Sequence, residues 1–136
     1  MIQRVVKITV AALSVAIASE AVAFRTVNNQ IVNPVNSVEI EVIGRPGNTK
    51  PDFWCAAADF FVRRNAPWKT RIYVKTGIGQ GVTQASPNAV VFTTDPAASG
   101  VEVYTNNVVS DILTPGYGRS LTYAWGECDK LGVLIF

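Results

Sequence analysis

The sequence predicts an α+β domain in which one main helix, over about residues 51–64, packs on a mostly antiparallel sheet of five to seven strands and is held by a single disulfide. Three observations predict it. Runs at 38–42, 71–75 and 101–105 alternate apolar and polar residues with period two, the pattern of half-buried strands. One stretch, DFWCAAADFFVRR, instead spaces its apolar residues as a helix does. Two cysteines, Cys55 and Cys128, follow a leader of the export type.

The leader is MIQRVVKITVAALSVAIASEAVA. Arg4 and Lys7 precede an apolar run from Ile8 to Ala18, and Ala21-Val22-Ala23 supplies small residues for cleavage, which is the grammar of a secretory signal peptide. A membrane anchor needs roughly 20 apolar residues, and this run is interrupted by Glu20 and followed by polar chain. Residues 1–23 are expected to be removed, with cutting after Ala23 preferred to the earlier Ala16-Ile17-Ala18, leaving 24–136 as one small domain. The expected location is periplasmic or extracellular, with no stable membrane insertion after removal. Of 12 basic and 10 acidic residues, the leader takes Arg4, Lys7 and Glu20, so the remaining chain is nearly neutral. Such a balance speaks against nucleic acid as a partner.

The first strands come from Thr26-Val27 and Gln30 to Val32, a turn at Asn33 to Asn36, and then Val38 to Val42. Val38, Ile40 and Val42 share one face; Glu39 and Glu41 are expected on the solvent side. Gly44 to Asn48 breaks the strand. Asn48 or Thr49 caps the helix, with Pro51 and Asp52 in its first turn. At 100° per residue, Trp54, Ala57, Ala58, Phe61 and Val62 share a face with Cys55 at its border, while Asp52, Asp59 and Arg63 gather opposite. Asp59 and Arg63 have the i, i+4 order that favours an ion pair. Phe53, Phe60 and Arg64 fall on a flank, to be covered by the protein or offered to a partner.

Arg71 to Lys75 reads as a strand, followed by a long loop from Thr76 to Asn88. Its glycines Gly77, Gly79 and Gly81 make G-x-G-x-G, but a strand rather than a helix follows, so the phosphate-cradling mechanism has no helix N-terminus to use. Ala89 to Thr93 is nearly all apolar, as a central strand should be. Asp95 caps a turn that Gly100 ends, before an alternating strand at Val101 to Thr105. Asn106-Asn107 suits a turn, and Val108 to Leu113 reads equally as strand or helical turn. A second Gly-rich loop, Pro115 to Arg119, precedes an expected strand at Ser120 to Trp125. A turn through Cys128 leads to the apolar Leu131 to Phe136, expected to be paired inside the sheet.

In an oxidising compartment the ordinary fate of Cys55 and Cys128 is one disulfide, here tying the helix to the turn before the last strand. Closing so long a loop stabilises a fold by about 4 kcal/mol in the chain-entropy model. The chain has no histidine, which excludes Ser-His-Asp and Cys-His catalysis and leaves zinc too few ligands. No cofactor is expected.

The reading that follows is an exported, disulfide-stabilised binding or interaction domain with no visible catalytic constellation. Its expected contacts with a protein or small ligand are Phe53, Phe60, Arg64, Trp68, Arg71, Gly77, Gly79, Gly81, Tyr117, Arg119 and Trp125. If the two Gly-rich loops share one end of the sheet, Arg71, Arg119 and the aromatics form a shallow site for an anionic or sugar-like ligand. The alternative is a small hydrolase using two of Asp52, Asp59, Asp95, Glu102, Asp111, Glu127 and Asp129 within about 5 to 9 Å of one another. An outer-membrane barrel is disfavoured, since it needs at least about eight strands of about ten residues.

Overall fold

The computed structural model describes residues 23–105 and 111–129. Residues 1–22 of the expected leader, the expected Asn106-Asn107 turn, half of Val108 to Leu113 and the expected terminal strand at Leu131 to Phe136 lie outside those residues. Within them, β1 (Phe24–Arg25), β2 (Ile31–Pro34), β3 (Glu39–Ile43), α1 (Lys50–Val62), β4 (Arg71–Gly79), β5 (Ala89–Thr93), β6 (Gly118–Ser120) and α2 (Leu121–Asp129) follow in order. The six strands form one sheet in the order β1-β2-β3-β5-β4-β6, antiparallel throughout. Both helices pack on it, so the α+β architecture and its disulfide are as the sequence predicts.

Register explains the core. Val32 pairs with Val42 and Val42 with Val90, while Ile40 and Val74 both pair with Phe92. Directly opposed residues share a face, so these side chains form one apolar sheet surface, on which Trp54, Ala57 and Ala58 of α1 rest. The nearly all-apolar β5 lies between β3 and β4 with every residue buried, the central position its composition requires.

α1 begins where the sequence places it. Thr49 is the N-cap, and its N–H donates to Asp52 Oδ2 at 2.6 Å. The helix closes at Asn65, which adopts a left-handed φ of 60° while the Ala66 N–H reaches back to the Phe61 carbonyl at 3.1 Å.

The two acids of its polar face, however, are not solvated. Asp52 to Phe60 are all buried, and Asp59 is fully so. The turn between β1 and β2 folds over this side: the Val27 N–H donates to Asp59 Oδ2 at 2.8 Å, and Asn28 Nδ2 to the Asp52 carbonyl at 2.9 Å. Arg63 completes the foreseen i, i+4 pair with Asp59 at 2.9 Å. Phe53 and Phe60 are likewise core residues, 1% and 4% exposed, which corrects the expectation that they face a partner. Phe53 fits because its ring lies against Gly44, where a Cβ would come within 2.6 Å of it.

The second face of the sheet is covered in the same way. Glu39 and Glu41, expected in solvent, are 5% and 0% exposed. Alternation assigns a face; it does not say whether a loop returns over it. Glu41 accepts the N–H groups of Val82 and Thr83 at 2.7 and 2.9 Å, together with the Thr83 hydroxyl, and so anchors the loop that follows β4. That loop starts at Gln80 rather than Thr76, because β4 continues to Gly79 through two register shifts.

Glu39 accepts both carboxylate bonds from Lys75 Nζ, at 2.9 and 3.0 Å, and a third from Ser99 Oγ at 2.9 Å. Burial alone would raise its carboxyl, but these bonds outweigh it and hold the group below its ordinary value of 4.5. A carboxylate with a depressed folded value contributes stability above its unfolded value and loses it as pH falls through the folded one. Urea midpoints measured downward from neutral pH should therefore fall below about pH 4.5 with a steeper slope in the native chain than in Glu39→Gln, which lacks this titration.

Two strand assignments are corrected. Val101 to Thr105 is irregular, its Tyr104 N–H bonded to the Gly116 carbonyl at 2.9 Å, and Val103 is exposed. Ser120 to Trp125 is strand only at Ser120; from Leu121 the chain is helical. Leu121, Tyr123 and Trp125 alternate, but Leu121, Ala124 and Cys128 also recur with helical spacing and, with Glu127, are the residues buried. Cys128 pairs with Cys55 at a Cα separation of 4.9 Å, both residues fully buried. The disulfide thus joins the two helices, not a helix to a turn.

Candidate ligand-binding face at β6 and α2

β6 returns antiparallel along the start of β4, pairing Arg71 with Ser120, Ile72 with Arg119 and Tyr73 with Gly118. That register puts Arg119 on the same face as the fully buried Ile72, where a guanidinium enters the edge of the core. Arg119 is 9% exposed. Its charge is met by Glu127 of α2, with Nη1 to Oε1 at 3.1 Å, and its Nε donates to the Tyr117 hydroxyl at 3.2 Å. The guanidinium also lies 5.1 Å from the Trp54 ring centre, 5.4 Å from Tyr117 and 4.8 Å from Tyr123. Arginine tolerates such a place because its flat, weakly hydrated cation can stack on rings while its edges hold polar partners.

On the other face of the strand pair, Gly118 gives way to Tyr73. A Cβ at residue 118 would fall 2.4 Å from two atoms of the Tyr73 ring. Arg71 is exposed, stacks 5.8 Å from the Tyr73 ring centre and donates from Nη2 to the Gly118 carbonyl at 3.2 Å. Gly118→Ala should consequently lower stability by about 1–3 kcal/mol through overpacking. Thermal unfolding of the variant checks this.

α2 starts against the loop before β4. The Leu121 N–H bonds to the Thr70 carbonyl at 2.9 Å, and the Thr122 N–H and hydroxyl both reach the Trp68 carbonyl at 3.2 Å. Ser120 Oγ accepts the Tyr123 N–H at 3.3 Å, as a helix cap does. Trp68, 49% exposed, meets Trp125 edge-on with ring centres 6.3 Å apart. Tyr123 is 61% exposed although one side of its ring is backed by Arg119.

Two open clefts flank Tyr123. One, of about 230 Å³, is lined by Arg71, Tyr117, Gly118, Arg119, Ser120 and Tyr123. The other, of about 360 Å³, is lined by Ser120, Thr122, Tyr123, Gly126 and Glu127. They share Ser120 and Tyr123, so the tyrosine ring stands as the wall between them.

The fold therefore gathers Trp68, Arg71, Tyr117, Arg119 and Trp125 at one end of β4. It does not bring Gly77, Gly79 and Gly81 to them: those residues lie at the far end of that strand and just beyond it, where Gly79 pairs with Ala89. The two Gly-rich loops thus do not share an end of the sheet. Arg64 sits apart as well, at the end of α1, 3.5 Å over the Phe60 ring and 5.4 Å from Phe24. Tyr123 and Glu127, four residues apart on α2, are not among the ligand contacts expected from the sequence, because residue 123 reads as strand and residue 127 as turn there.

The carboxylates are dispersed. Asp52 caps α1, Asp59 pairs with Arg63, Asp95 Oδ1 accepts the Ala98 N–H in its turn, Asp111 pairs with Lys50 at 2.8 Å, and Glu127 pairs with Arg119. Neither cleft beside Tyr123 holds two of them. Among the described residues no group of three or more Cys, Asp or Glu is placed to hold a metal ion, and no helix is long and apolar enough to cross a membrane. Comparison of this chain with protein-family models, with curated proteins and with solved structures finds no match.

Proposed function

We propose that the chain is an exported, disulfide-stapled binding domain that offers its β6–α2 face to a small anionic or sugar-like ligand. The observation that carries this reading is the cleft lined by Arg71 and Arg119 together with Tyr117 and Tyr123. The exposed Arg71 cation beside two aromatic rings supplies charge, hydrogen-bond donors and flat apolar surface at one place, the combination that fixes a small ligand's orientation. Export is supported by the leader and by the Cys55–Cys128 bridge, since a buried structural disulfide is characteristic of oxidising compartments. Hydrolysis by paired carboxylates draws no support from these clefts, because each carries at most one acid.

Intrinsic tryptophan fluorescence tests the ligand reading. Trp54 lies beneath Arg119, and the Trp68 carbonyl holds the first turn of α2. Titration with a panel of glycans and small anions should change the emission in the native chain and not in Tyr123→Ala. A flat response across the panel overturns the reading. For export, the intact mass of the protein recovered from its own compartment should correspond to a chain starting at Phe24 with two hydrogens lost; a mass that includes the leader contradicts it.

A further inference from the structure

We infer that this face takes an acidic oligosaccharide, with a carboxylate on the Arg71 side of Tyr123 and the neighbouring sugar ring on the Glu127 side. The inference rests on the ligand-binding reading above and names its ligand class. The two clefts share Ser120 and Tyr123, so a ligand of linked rings can lie across the tyrosine where a single ring would fill one side only. Tyr123 is exposed yet held in place by the guanidinium 4.8 Å behind it. A fixed, half-exposed ring loses little freedom when a sugar stacks on it, and that favours binding.

The two sides differ in chemistry. Toward Arg71 the lining carries two guanidinium groups and no acid. Arg71 is the solvent-exposed one, with a single bond to a carbonyl, and it presents the forked donor edge that suits a carboxylate. Toward Gly126 the lining carries the hydroxyls of Ser120, Thr122 and Tyr123, which exchange hydrogen bonds with sugar hydroxyls, beside the buried Glu127 that pairs with Arg119. Gly126 has nothing near the position of a Cβ, so the floor of that cleft is open.

Isothermal titration of the oxidised, exported protein with tri-galacturonate and with its fully methyl-esterified form tests this, because the two share a backbone and differ in charge. The acid should bind about tenfold tighter or more than the ester, as expected for hydrogen bonds to a charged group. Arg71→Gln should erase that preference while leaving binding of the ester, and Tyr123→Ala should abolish binding of both. Both residues are exposed, and melting curves of the variants verify that they fold. Equal affinity for acid and ester, or a preference that survives Arg71→Gln, overturns the carboxylate assignment. If inorganic phosphate, acetate or adenosine monophosphate binds in a Tyr123-dependent way and neither trimer does, the oligosaccharide class is wrong and the site stands. If none of these probes binds, both the class and the site reading fall.

Discussion

Replacing Cys55 and Cys128 together with alanine should lower the unfolding free energy by about 4 kcal/mol, the loop-closure entropy that the bridge removes from the unfolded chain. Small domains have about 5–15 kcal/mol in all, so the variant should be close to unfolding at physiological temperature. Urea denaturation of the oxidised chain and the double variant measures it, and a difference below about 1 kcal/mol would show that the bridge closes no costly loop. The loss also reaches the ligand face. α2 is held by the disulfide, by the Arg119–Glu127 pair and by backbone bonds to Thr70 and Trp68. With the covalent tie gone, Tyr123 should become more mobile, and ligand-induced fluorescence change should weaken before the sheet unfolds.

Trp54→Ala should destabilise the fold by about 3–5 kcal/mol, the usual consequence of emptying a buried tryptophan site. Trp54 is fully buried, meets the Phe92 ring edge-on at 5.0 Å and the Tyr117 ring at 5.7 Å, and donates from Nε1 to the Ile112 carbonyl at 3.0 Å. It also supplies one of the rings that surround the Arg119 guanidinium. Trp54→Phe keeps most of the packing and gives up the Ile112 bond, leaving that carbonyl without this donor, so its expected effect is smaller, about 1–3 kcal/mol. Chemical denaturation of the two variants separates the contributions. Equal losses would mean that the single hydrogen bond, not the ring, holds this corner of the core.

The helix that starts after Thr49 was legible because cap and helical spacing agree in one short segment, and β3, β4 and β5 because alternation or an unbroken apolar run marks each of them. The pairing of the only two cysteines followed from their number. α2 was not legible: its nine residues contain an alternation and a helical spacing together, and the choice is made by Cys55 and Arg119, which reach it from other elements. The burial of Glu39, Glu41 and Asp59 was invisible for a related reason. Each acid sits where periodicity expects solvent and is then covered by a returning turn or loop whose N–H groups or hydroxyls it satisfies. Of the ligand face, the residue types were evident at Trp68, Arg71, Tyr117, Arg119 and Trp125. What unites them is the return of β6 along the first residues of β4, a long-range pairing that no local pattern encodes.

Backbone-amide chemical-shift mapping of the oxidised protein during titration with tri-galacturonate tests the location of binding most directly. The expected result is a set of perturbed amides confined to Arg71, residues 117–123, Gly126 and Glu127. Perturbations centred on Gly77, Gly79 and Gly81 at the far end of β4 would contradict the assignment of the β6–α2 face, and none at all would contradict the acidic-oligosaccharide class.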